Sequence, residues 1–160
     1  MPALLSGSMR SGRDLIDPGL FDRLVAKVDD SARLGPELSA RVVDQALAFL
    51  ACSVRGSGQS MTPSRLVDLG WHVFLLYTRE YAQFCERVAG GFIHHVPHDT
   101  LVSGASSAAV DTLSAIEAAG YRVDHELWAM SAGRCGSCHE DGNCRASGED
   151  GNENSDNRGK

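Results

Sequence analysis

Apolar residues recur along this chain at intervals of three and four, in blocks separated by glycine, proline and short polar runs, a pattern that predicts helices throughout. Residues 1–16 show little periodicity and are expected to form a flexible N-terminus. Asp17 is placed to cap a helix with Pro18 in its first turn, and Leu20, Phe21, Leu24, Val25 and Val28 make one apolar stripe that ends near Asp29. Gly35 and Pro36 open a longer helix lined by Leu38, Val42, Val43, Ala46, Phe49, Leu50 and Val54, which the run GSGQS at 56–60 breaks. Thr62 and Pro63 signal a third start, and from Leu66 to Tyr77 the residues are apolar almost all the way round, as expected of a central helix. Gly70 within it costs about 1 kcal/mol relative to alanine, which points to close approach by a neighbouring backbone.

Thr78 opens a further helix carrying Tyr81, Phe84, Cys85 and Val88, stopped by Gly90 and Gly91. Phe92 to Pro97 is expected to be short and extended, and 99–106 a polar loop. Ala108 to Ala119 is the next helix, with Val110, Leu113 and Ile116 on one face and Gly120 as its stop, followed by a short packed piece from Tyr121 to Met130. No stretch alternates with period two, so the fold class is all-α, a small bundle of five or six helices over 17–130. From Ser131 to Lys160 the composition turns to Gly, Ser, Asn, Asp and Glu around three cysteines, too poor in large apolar residues to fold without a ligand.

The chain has 160 residues and a formal charge of −6, with no basic stripe, which argues against nucleic acid as a partner. No run of about eighteen apolar residues suggests a membrane span, and no export signal is evident at the start. A cytoplasmic setting is therefore expected, in which the five cysteines are reduced thiols or metal ligands rather than a disulfide framework. A protein partner stays open.

The segment from Trp71 to His98, WHVFLLYTREYAQFCERVAGGFIHHVPH, concentrates four of the six histidines with one cysteine. Imidazole and thiolate are ligands for zinc and related transition metals. With WH at 71–72, then LLYT, REYAQFC and FIHHVP, this segment resembles the helical domain of the glycine-rich domain-containing proteins, whose pattern runs WHxHxL, Y, C and then G-x-F/L-x-H-x-P. It also resembles small actinobacterial proteins sharing VDLGWH, YTREYAQFC and a Cys-rich tail. The resemblance implies a small helical domain and no particular reaction. Phe74 stands where the family pattern has its second WHxH histidine, so a ligand role at that position is absent.

On one straight helix His72 and Cys85 would point about 220° apart. A break near Thr78 is thus the condition under which His72, Cys85 and His94 or His95 converge. Asp68, four residues before His72 on the same face, is placed to fix its tautomer. Against this stands ordinary packing, in which the histidines are hydrogen-bonded, Cys85 is a small buried hydrophobe and Trp71, Phe74, Tyr77, Tyr81 and Phe84 are core aromatics.

A second donor set lies in the tail, where Cys135 and Cys138 have the CxxC spacing that grips one tetrahedral ion and His139 and Cys144 complete four ligands. The string CxxCH also matches a c-type haem attachment site, but that chemistry follows export. A thioredoxin-like pair would require a strand before and a helix after it. The expectation is a cytoplasmic protein binding zinc or another transition metal in a structural, sensing or partner-binding role. The alternatives are a metalloenzyme with an open site at His72, His94 and His95, or a metal-free interaction module or modified-peptide precursor. No HExxH, GxSxG, GxxxxGK[ST] or dinucleotide fingerprint points to a known catalytic class, and Glu80 and Glu86 read as solvated faces.

Overall fold

A computed structural model of the chain describes residues 8–53, 61–95 and 105–132. Among them are six α-helices and no strand: α1 (Pro18–Ala32), α2 (Pro36–Ser53), α3 (Arg65–Leu75), α4 (Thr78–Ala89), α5 (Ala105–Ala118) and α6 (His125–Ala132), preceded by a 3-10 turn at Gly12–Leu15. The all-α expectation is met. None of the described helices is long and apolar enough to cross a membrane.

The caps explain most boundaries. The Asp17 carboxylate accepts from the Gly19 and Leu20 amides at 2.9 and 3.2 Å, as its position before Pro18 predicts. α1 runs one turn past Asp29, ending where Arg33 adopts a left-handed backbone with φ 52° and its amide donates to the Asp29 carbonyl. The cap of α3 is Ser64 rather than Thr62: the Ser64 hydroxyl accepts from the Val67 amide at 3.3 Å, while the Thr62 amide donates to the Thr112 hydroxyl. α5 starts at Ala105, before the expected Ala108, because the alanines there favour helix more than the two serines oppose it.

Helix α2 forms the centre, with α1, α3, α5 and the 3-10 turn against it. Its Val42, Val43, Ala46, Leu47, Phe49 and Leu50 are buried, joined by Leu24 and Val28 of α1 and by Val67 and Phe74 of α3. Gly70 lets α3 approach closely, since a Cβ there would lie 2.9 Å from Ala46 Cβ and 3.2 Å from the Val42 carbonyl oxygen.

The expectation of a loose start through residue 16 is corrected for its described part. Gly12 is packed against the backbone of α2, and the Asp44 carboxylate accepts from the Ser11 hydroxyl and the Arg13 amide. Arg10 pairs with the chain after α5, its amide donating to the Gly120 carbonyl and its carbonyl accepting from the Arg122 amide. These contacts satisfy backbone groups that would otherwise need water, so the segment is held.

Two polar side chains of α2 tie it to α6. Gln45, almost wholly buried, donates to the Arg122 carbonyl and accepts from the Asp124 amide and the Trp128 indole. Arg41 binds Asp124 through two nitrogens at 2.7 and 2.9 Å and Glu126 at 2.7 Å. Hydrogen bonding to Arg41 holds the Asp124 carboxyl below the usual carboxylate range and raises the Arg41 guanidinium in turn.

Candidate metal centre

Asp68 and His72 sit one turn apart on α3, on a more exposed face than the one carrying the buried Val67, Trp71 and Phe74. The chain leaves α3 through a tight turn in which the Leu76 and Tyr77 amides donate to the Val73 and Phe74 carbonyls. α4 begins at Thr78, as the sequence suggests. Its amphipathic stripe buries Tyr81, Phe84 and Cys85, and Gly90 stops it with a left-handed φ of 70°.

The returning segment 91–95 has no regular structure and is held by side chains. The Trp71 indole N–H donates to the Tyr81 hydroxyl at 2.8 Å, and that hydroxyl donates to the Ile93 carbonyl at 2.7 Å. Two residues on, His95 lies between Trp71 and His72, with ring centroids 4.4 and 4.2 Å away and both pairs edge to face.

His95 Nε2 is 2.7 Å from Asp68 Oδ1, and His72 Nδ1 is 3.2 Å from Asp68 Oδ2 and 2.7 Å from the Asp68 carbonyl. One donor atom from each of the three residues lies within 4.8 Å of the others, the one such grouping among the described residues. It grades from inside to outside: the side chains of His95, Asp68 and His72 are 11, 33 and 53 % exposed. His95 Nε2 and His72 Nδ1 both face the Asp68 carboxylate, and a ring nitrogen binds an ion only where it carries no proton.

The break near Thr78 therefore brings His72 and His95 together, with the Asp68 carboxylate in contact with both rings. Cys85 is elsewhere, fully buried on the inner stripe of α4. Burial pushes the Tyr81 phenol well up, so it remains a protonated donor. His94 is outside the group too, its ring 4.9 Å from Phe92, lining a cleft of about 430 Å³ with Phe49, Trp71 and Ile93. Cys135, Cys138, His139 and Cys144 lie outside the described residues. Trp71, Phe74, Tyr81 and Phe84 are core, while Tyr77 is only partly buried and lies under the Arg23 guanidinium. Glu80 faces Arg23 at 3.6 Å and Glu86 is exposed, consistent with outer faces.

Fold and site together define a small all-α bundle with an Asp–His–His cluster at its surface. The chain belongs to the UCP032817-like family, whose model matches residues 16–113, a span that contains α1 to α4 and all three members of the cluster. No curated protein and no solved structure matches the chain. None of these comparisons relates it to the glycine-rich domain-containing proteins, so the chemistry rests on the side chains themselves.

Proposed function

We propose that this is a small metal-binding helical protein in which Asp68, His72 and His95 hold a transition-metal ion, zinc being the first candidate, in a structural, sensing or partner-binding role. The convergence of three donor atoms within 4.8 Å supports this reading. Two imidazoles and a carboxylate suit zinc and its first-row neighbours. Three protein ligands leave a fourth position for water or an outside ligand, and the exposure of His72 puts that position near solvent. An open position of this kind also keeps a metalloenzyme in view. Cys135, Cys138, His139 and Cys144 form a separate donor set whose spacing suits a closed site of its own.

One observation favours a metal-free role. The 2.7 Å contact between His95 and Asp68 is an ordinary hydrogen-bond length, so the cluster already satisfies itself as a polar pin joining 91–95 to α3.

Metal content of the full chain, purified under reducing conditions without added metal, separates these readings. The expected result is a bound ion that Asp68→Ala and His95→Ala lose and that Cys135→Ser with Cys138→Ser retains. Less than about a tenth of an equivalent in the chain carrying Cys135→Ser and Cys138→Ser, with no uptake on titration with zinc, would overturn the proposal. In that case Asp68→Ala should still lower the melting temperature.

A further inference from the structure

We infer that Tyr81 is a positioning residue for this metal site, acting through the Ile93 carbonyl to hold His95 over Asp68 and His72. The inference rests on the metal-binding reading. Tyr81 is fully buried, yet its hydroxyl makes two hydrogen bonds that serve the site more than α4: it accepts from the Trp71 indole and donates to the Ile93 carbonyl.

The first partner packs edge-on against the His95 ring, and the second is main chain two residues before His95. One oxygen atom thus joins the wall of the ligand to the segment that delivers it. The phenol ring is itself clamped, with Phe74 and Phe92 at centroid distances of 5.1 and 5.2 Å. The segment 91–95 has no helix or sheet ladder to fix it and opens with Gly91 directly after Gly90, so side-chain anchors must set its path. Groups that orient a ligand from behind, without touching the ion, commonly govern metal affinity by roughly ten- to a hundredfold.

The test is cobalt(II) titration of the full chain under reducing conditions, followed by visible absorption at a temperature where each variant is folded, with Cys135→Ser, Cys138→Ser and Cys144→Ser present throughout to silence the tail. Tyr81→Phe keeps the ring and removes only the hydroxyl. It should bind one cobalt roughly tenfold more weakly than its parent. A purely structural tyrosine would lower the melting temperature and leave the affinity of the folded chain unchanged. Equal cobalt affinity in Tyr81→Phe and its parent would overturn the inference while leaving the site intact; no cobalt binding by the parent would overturn the metal reading itself. Should Tyr81→Phe fail to fold, Trp71→Phe, which deletes the N–H that orients the hydroxyl, is read in the same way, a severalfold loss supporting the inference and an unchanged affinity overturning it.

Discussion

Alanine at position 70 sets two effects of known sign against each other. Within α3 alanine gains about 1 kcal/mol over glycine in backbone entropy and helix propensity. The added methyl, however, would lie 2.9 Å from Ala46 Cβ, 3.1 Å from Val42 Cγ1 and 3.2 Å from the Val42 carbonyl oxygen. Two of these atoms cannot step aside, because Ala46 Cβ is bonded directly to the α2 backbone and the carbonyl is part of it. The third belongs to a β-branched side chain that is stiff at its first torsion. Relief must come from α3 moving away from α2, which loosens the contacts of Val67, Trp71 and Phe74. Overpacking of this kind costs about 1–3 kcal/mol, so the net expectation for Gly70→Ala is destabilisation by about 1 kcal/mol. Urea denaturation followed by far-ultraviolet circular dichroism should show a lower midpoint with an unchanged slope. Gly91→Ala is the matched control: nothing lies within 4 Å of its Cβ position, so its stability should stay within about 0.5 kcal/mol of the parent. A Gly70→Ala chain as stable as the parent, or more so, would refute the packing argument.

Two further outcomes follow from the α2–α6 junction. Gln45→Leu removes the partners of the buried Trp128 indole, the Asp124 amide and the Arg122 carbonyl, and should cost about 2–4 kcal/mol by the same assay; a loss under about 1 kcal/mol would mean that water replaces the amide. Asp124→Asn keeps an acceptor for the Leu127 amide but loses the charge facing Arg41. Because the folded Asp124 carboxyl titrates below its ordinary range, its stabilisation is complete above about pH 4 and disappears as pH falls through the folded value. The stability difference between parent and Asp124→Asn should therefore be about 1 kcal/mol at pH 7 and shrink toward pH 3, whereas a difference independent of pH would exclude the ion pair as its source.

The helices were legible wherever the apolar stripe was long and a cap stood at one end, as with Asp17 before α1 and Gly90 after α4. Gly70, read as a point of close approach, is one. What local pattern could not supply was order arising from distant partners. Residues 8–16 carry no periodicity, yet Gly12 lies against α2 and Arg10 pairs with the chain after α5. Gln45 is a polar residue within α2 whose buried amide is satisfied by partners as distant as Trp128, 83 positions away.

At the site the same distinction decides which ligands meet. The spacing of Asp68 and His72 is local, and a shared face followed from helical geometry alone. The fate of Cys85 was also local. It belongs to the stripe Tyr81, Phe84, Cys85 and Val88, and a residue on the buried stripe of α4 is directed into the core, whereas His72 looks out from α3. The choice between His94 and His95 was not local. In an extended segment adjacent side chains point to opposite sides, and which side faces α3 depends on where the backbone is pinned. The pin is the hydrogen bond from Tyr81 to Ile93, itself set by Trp71, so His95 reaches Asp68 through a relay that spans α3, α4 and the return segment. Spacing therefore suffices for donors on one helix. For a donor arriving on irregular chain, the buried group that anchors the backbone carries the information.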